Sequence, residues 1–314
     1  MSVKEFVLKK LEENRGIPLS GEAIANSLSV SRAAVWKAVR ALEAEGYHIE
    51  AVPNQGYTLC TDNDLLSTQG ILPYLNPPLK SREIRVFPCL PSTNQEAKRM
   101  ALESAEQGSA VLAEEQSAGR GRLGRSFFSP RGNGLYMSVI LRPKADVSNA
   151  VLITTAAAVG VCRAIDTVTG RHPQIKWVND LYLNEKKICG ILTEAVTNFE
   201  TGVIESVVVG IGINFKGSQS TLPEELRHKA GFLYTDEPPA TTRNHLAAEI
   251  INQLCILCDT LELRSFLPEY RMRSMIIGEQ IRFLLNQVWS EALAVDIDDL
   301  SLIHISEPTR RRGI

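Results

Sequence analysis

In the first sixty residues the apolar positions recur at helical spacing. Val3, Phe6, Val7 and Leu11 fall three or four residues apart, and Asn14-Arg15-Gly16 ends that run. Ser20 stands before a second, shorter periodic run at 22–28. Ser31 stands before a third, in which Ala34, Val35, Ala38, Val39 and Leu42 share one face and Gly46 supplies the stop. The period then drops to two: residues 47–52 and 56–59 read as strands around the turn Pro53-Asn54-Gln55-Gly56. Three helices followed by a hairpin is the order of a winged helix-turn-helix.

Residues 62–90, with Pro73, Pro77, Pro78 and Pro88, read as a linker zone. A long α/β region follows. Strands are expected at 111–115, 135–141, 175–177, 187–196 and 206–213, and helices at 97–105, 150–168 and 244–263. Near Gly278 the alternation returns, with Ile281, Phe283 and Leu285 on one face of a strand, as if a small third domain begins. The chain shows no internal repeat and no low-complexity tract.

Composition narrows the function. Of 314 residues, 44% are apolar and 22% charged, as in an ordinary globular protein. A net charge of −2 excludes binding to nucleic acid through the field of the whole molecule, so any such contact needs a local patch. The third helix offers one: Ser31, Arg32, Trp36, Lys37 and Arg40 lie off its apolar face, where a winged helix meets the major groove. A protein-interaction module of the same fold is the alternative. Lys4, Glu5, Lys9 and Lys10 interrupt the first apolar positions, against a signal peptide. No apolar run is read as approaching the ~20 residues of a membrane span, so a cytoplasmic protein without a membrane partner is expected. Among six cysteines only Cys255 and Cys258 have metal-like spacing. They lie in a helical apolar pattern and read as core residues, so no zinc site is expected.

Three segments carry candidate chemistry. Residues 116–125 interleave Gly119, Gly121 and Gly124 with Arg120, Arg122 and Arg125. The glycines spell G-x-G-x-x-G, yet Phe127-Phe128-Ser129-Pro130 and a strand follow, where a dinucleotide fingerprint would open a helix. A glycine loop bearing arginines suits closure over a phosphate or carboxylate, with bidentate donors once it is ordered; a solvated basic loop is the plain alternative. Ser92-Thr93-Asn94 precedes a helix, where Thr93 and Glu96 read as a capping box, though hydroxyls and an amide there also suit a urea-like ring. Lys176, Asn179, Asp180 and Lys187 flank a hairpin that can bring them to one end, with chemistry suited to Mg²⁺ and phosphate. A hairpin with solvent-facing charges is the plain alternative. Gly210 and Gly212 close an apolar strand at Asn214 and would allow backbone to approach a ligand closely.

Taken in order, S-T-N, Q-x-A-G-R-G-R-x-G-R, K-W-x-N-D, K-x-x-G-I-L and G-I-G-I-N resemble the biotin–protein ligases. The preceding winged helix is similar to that of the bifunctional subgroup, the biotin operon repressors. The resemblance spans about residues 2–299. It implies an α/β (α+β) chain: a winged helix-turn-helix at 1–61, a linker at 62–82 and a mixed-sheet, class II synthetase-like catalytic domain at 83–272. A partial SH3-like β-barrel at 273–300 and a tail outside the family pattern at 301–314, too short to supply the missing strands, complete it. Ser92, Thr93, Asn94 and Gln116 match positions bonding the ureido ring of biotin. Arg120, Gly121 and Arg122 match the closing loop, and Lys187 a lysine near the biotin carboxylate. Asn179, Asp180 and Asn214 match polar groups near the ATP phosphates and Mg²⁺, with Lys176 close by and Phe127 near the adenine. Arg122, Lys187 and Asp180 are the implied catalytic residues. Val178 departs from the family, which often has proline there. The implied activity is that of a biotin–[acetyl-CoA-carboxylase] ligase, acting on a biotin carboxyl carrier protein and binding operator DNA as a homodimer when the adenylate is bound. A lipoate or octanoate ligase, or a non-catalytic ligand-sensing repressor, are the alternatives.

Overall fold

The computed structural model describes residues 1–53, 55–143, 150–197, 204–285, 288–298 and 302–306. Asn54 of the expected turn, residues 299–300 of the expected partial barrel, and residues 301 and 307–314 of the expected tail lie outside them. The chain forms two compact units, Met1–Lys80 with Ala240–Glu249, and Ser81–Pro239 with Ile250–Ile314.

In the first unit, α1 (Val3–Glu13), α2 (Gly21–Leu28) and α3 (Arg32–Ala44) precede the hairpin β1 (Ile49–Val52) and β2 (Gly56–Leu59). Each helix starts on a serine whose hydroxyl accepts backbone N–H bonds: Ser2, Ser20 and Ser31. These bonds satisfy donors that have no partner inside the helix. Ser29 takes a left-handed conformation between α2 and α3 (φ 53°), and Val30 N–H bonds back to Ala25 O at 3.0 Å. Val7, Leu11, Val35, Val39 and Leu42 meet Ile49 and Leu59 in one core. The 62–90 zone is more structured than expected. It holds α4 (Thr68–Ile71) and two 3₁₀ turns, and Asp64 pairs with buried Arg243 (Oδ2–Nε 3.0 Å).

The second unit adds β3 (Ile84–Phe87), α5 (Thr93–Leu102), β4 (Ala110–Ala113), β5 (Gly134–Leu141) and α6 (Ala150–Thr169). It continues with β6 (Gln174–Lys176), β7 (Asp180–Leu183), β8 (Lys186–Thr197), β9 (Ile204–Asn214), α7 (Arg243–Asp259) and α8 (Leu267–Arg273). The first part of α7, residues 243–249, clusters with the first unit. The strands form one sheet in the order β3-β4-β5-β9-β8-β7-β6, parallel between β3 and β4 and antiparallel elsewhere. β5 is buried along its whole length, as a central strand covered on both faces must be. Residues of β8 alternate between the covering helices. Leu192 and Glu194 meet Asn94 of α5, and Thr193 meets Thr154 of α6.

Four expectations are corrected here. Ile84–Phe87 is a strand, hidden in the sequence by its short length between proline-bearing segments. The expected hairpin around 176–192 is three strands, because residues 177–179 already turn the chain between β6 and β7. Thr93 caps nothing: Ser92 is the N-cap residue of α5, no side chain caps it, and the Thr93 hydroxyl is committed to the site described below. Finally, Val151–Thr169 is long and apolar enough to cross a membrane, contrary to the sequence reading. That stretch is 67% buried, and Ala156, Ala157, Ala158, Val159, Val161 and Ala164 pack it as a core helix.

The C-terminal part is a three-stranded antiparallel sheet of β10 (Gln280–Leu285), β11 (Val288–Ile297) and β12 (Ile303–Ser306), with Ala292, Ala294 and Ile297 inside. It does not close into a barrel among the described residues. Part of the segment set apart as a tail thus belongs to this sheet, as its third strand.

Candidate active site

The start of α5, the loop 116–129, the β6–β7 turn and the middle of β8 and β9 enclose a cavity of about 300 Å³. Ser92, Thr93, Asn94, Gln116, Arg120, Gly121, Arg122, Asn179, Asp180 and Lys187 all line it, together with Arg125 and Phe127. Residues spread over almost a hundred positions therefore converge. Asn214 does not line the cavity: at the end of β9 its Nδ2 donates to Gly231 O at 2.9 Å. Lys176 also points elsewhere, its ammonium 5.3 Å from the Tyr182 ring centre.

One end of the cavity is a polar relay. Thr93 donates through its backbone N–H (2.9 Å) and its hydroxyl (3.2 Å) to Gln116 Oε1, while Gln116 Nε2 donates to Ser129 Oγ at 3.1 Å. Ser138 Oγ lies 2.7 Å from Thr93 Oγ1 and 2.6 Å from Asn94 Oδ1. Asn94 Nδ2 donates to Glu194 Oε2 at 2.7 Å, and Lys98 Nζ donates to Glu194 Oε1 at 2.5 Å. Burial works against the Glu194 charge, but the hydrogen bonds from Lys98 and Asn94, together with the charges of Lys98 and Arg120, outweigh it and hold the carboxyl below the usual carboxylate range. Each amide at this end thus has a fixed orientation, ready to recognise a ligand with both donors and acceptors. Ser138 and Glu194 were missed in the sequence. A lone serine in an otherwise apolar strand, and an acid inside a long one, were the available signals.

The other end is cationic. Lys187 Nζ is 2.7 Å from Asp180 Oδ1, and Arg122 Nη1 donates to Asn179 Oδ1 at 3.2 Å. With Arg120 and Arg125 also on the lining, positive groups outnumber the one acid, and an anionic ligand is favoured here. The glycine–arginine loop folds as a small hairpin. Gly121 N–H donates to Arg125 O (2.7 Å) and Phe127 N–H to Gly119 O (2.9 Å), and Leu123 stands 90% exposed at its tip. Gly210 and Gly212 make room for protein side chains rather than for a ligand alone. A Cβ at Gly210 would lie 2.1 Å from Asn94 Oδ1, and one at Gly212 would lie 2.5 Å from the Phe127 ring.

In the first unit, Arg32, Trp36, Lys37 and Arg40 of α3 and its cap Ser31 are exposed, while Val35, Ala38, Val39 and Leu42 are buried. The Arg40 guanidinium sits 5.6 Å from the Trp36 ring centre and pairs with Glu43 at 2.9 Å.

A model of the biotin/lipoate A/B protein ligase family matches residues 86–214, and a helix-turn-helix (HTH) domain model matches residues 3–58. The bifunctional ligase/repressor BirA of Bacillus subtilis (strain 168) is 32% identical over 308 residues, covering 93% of this chain and 91% of that protein. This chain belongs to the bifunctional biotin ligase/repressor family. Its Escherichia coli (strain K12) relative is 31% identical over 249 residues, 79% of this chain and 75% of that protein. Among solved structures, biotin protein ligase from Aquifex aeolicus in complex with biotin and ATP superposes with a TM-score of 0.60 at 26% identity, covering 71% of this chain and 91% of that one.

Proposed function

We infer that this chain is an ATP-dependent biotin–protein ligase and a biotin-responsive transcriptional repressor. One observation carries the reading: the polar relay and the cationic cluster share one cavity, in a chain of the bifunctional ligase/repressor family. A urea-like ring suits the first end and a carboxylate or phosphate the second, and biotin carries both a ureido ring and a carboxylate.

The biotin carboxylate attacks the α-phosphate of ATP, forming biotinoyl-5′-AMP and releasing pyrophosphate. Both reactants are anions, so the protein's work is to neutralise charge and align the attack. Lys187, Arg120 and Arg122 serve that role, and Ser92, Thr93, Asn94 and Gln116 hold the ring. Asp180 and Asn179, whose side-chain oxygens are paired with Lys187 and Arg122 in this structure, would be the residues to hold Mg²⁺, an ion that takes one or two protein oxygens and otherwise phosphates and water. When bound it would supply charge neutralisation at the phosphates. The amine of an acceptor lysine on a biotin carboxyl carrier domain of acetyl-CoA carboxylase then attacks the mixed anhydride and expels AMP. The 116–129 hairpin excludes water between the steps. This chemistry belongs to the cytoplasm, where ATP and carboxylase meet.

Repression follows from the same intermediate. Adenylate binding orders the loop, ordering removes an entropic penalty from homodimerisation, and the dimer presents two α3 helices to a palindromic operator. The test is incubation with biotin, Mg·ATP and a carrier domain, followed by detection of covalent biotin. Labelling with lipoate or octanoate but not biotin would mark the chain as the other kind of ligase in this family. Operator binding without any labelling would mark a sensor.

A further inference from the structure

The hairpin of the first unit carries a cluster unrelated to ligation. Ile49 and Leu59 are paired across β1 and β2 and turn inward to the core, so their neighbours turn outward. Cys60 N–H donates to His48 O at 3.0 Å, which sets these two residues opposite each other, and Glu50 lies two residues along the same strand. One donor atom from each of His48, Glu50 and Cys60 falls within 4.8 Å of the other two. His48 and Glu50 are exposed and Cys60 is half-buried. Asp62 Oδ1 stands 3.2 Å from His48 Nδ1, and a carboxylate so placed orients a metal-bound imidazole.

We propose that His48, Glu50 and Cys60 form a binding site for a divalent transition-metal ion of the zinc class on the outer face of the β1–β2 hairpin. The donor set selects the ion. Thiolate and imidazole are soft and borderline ligands that disfavour Mg²⁺ and Ca²⁺, and one carboxylate is common at zinc. Donor atoms around tetrahedral zinc stand about 3.5 Å apart, given metal–ligand distances near 2.0–2.3 Å. The three donor atoms start within 4.8 Å of one another, and His48 and Glu50 are exposed side chains with room to rotate toward a shared ion. Water takes the fourth position. The sequence hid this site because its ligands are spaced 48, 50 and 60, a pattern that only the hairpin register brings together. An ion here clamps two four-residue strands that are short for a hairpin standing on its own.

The test uses the full-length, metal-free, reduced protein titrated with Co²⁺. Thiolate ligation gives an intense sulfur-to-cobalt absorption band in the near ultraviolet, and Zn²⁺ then displaces it. We expect one equivalent of Co²⁺ per chain to produce the band. Cys60→Ser should abolish it, and His48→Gln and Glu50→Gln should each weaken binding by tenfold or more. Cys89→Ser, which removes the other thiol that is not buried, should leave the band intact. His48 and Glu50 are exposed, so their variants keep the fold, and circular dichroism verifies this for all four. Absence of the band in the parent protein overturns the proposal. So does a band that survives Cys60→Ser, that follows Cys89, or that is indifferent to both His48→Gln and Glu50→Gln.

Discussion

The Lys187 ammonium lies 2.7 Å from the Asp180 carboxylate at the edge of the cavity, each side chain about one-third exposed (33% and 28%). The lysine is therefore held in place by a partner that an anionic ligand can compete with, so its charge is positioned before any substrate arrives. Replacing it by alanine should slow adenylate formation by roughly 10²-fold, the scale of removing one charged transition-state interaction. Single-turnover pyrophosphate release measures this. A wild-type rate would remove Lys187 from the reaction.

Arg122 reaches from the loop to Asn179 Oδ1 at 3.2 Å and so ties the hairpin to the β6–β7 turn. Arg122→Gly should still make the adenylate but let it escape, because the clamp is gone while Lys187 remains. Biotinylation of bystander proteins added in excess is the readout. Retention of the adenylate equal to that of the parent protein would show that the loop holds by other means.

On α3, Arg40 and Trp36 form one exposed surface. Operator binding should require biotin and ATP together. Arg32→Ala or Arg40→Ala should lower it while ligation is unchanged. The salt slope should fall by about one for each arginine–phosphate pairing that the substitution removes. Gel-shift titrations at several salt concentrations distinguish this from a constitutive binder, whose affinity would ignore the adenylate.

Glu194 gives a pH dependence with a defined sign. Its folded-state pKa lies below the ordinary 4.5, held there by Lys98 and Asn94 against burial. As pH falls the unfolded chain takes up this proton first. The stabilisation is therefore complete above the ordinary value and is lost as pH falls through the lowered folded one. Glu194→Gln should flatten the acid limb of thermal stability below about pH 5. An unchanged acid limb would mean that the Lys98–Glu194 pair contributes nothing to it.

Much of this architecture was legible in the sequence, for identifiable reasons. Ser20 and Ser31 mark helix starts because local capping chemistry is written in local residues, and the apolar stripe of α3 needs no tertiary information. The cavity residues were legible because they fall in short motifs with unusual composition. Two short elements were not: Ile84–Phe87 and Leu267–Arg273 are set by pairing and burial against distant segments. Thr93 misled for a related reason. A threonine three residues before a glutamate has two possible partners, and the distant amide of Gln116 outcompetes the local backbone. Likewise Glu194, Ser138 and the outward face at His48 and Cys60 acquire meaning only through strand register.

The two glycines of β9 have a consequence for how this protein tolerates change. At Gly210 and Gly212 the added methyl of alanine, the smallest possible substitution, falls on Asn94 Oδ1 and on the Phe127 ring. A deep mutational scan should therefore find loss of function at positions that carry no functional group at all, with Gly212→Ala more damaging than Arg125→Lys. The short motif G-I-G-I-N records reserved volume. Its invariance under selection would be a steric requirement transmitted through one amide and one aromatic ring.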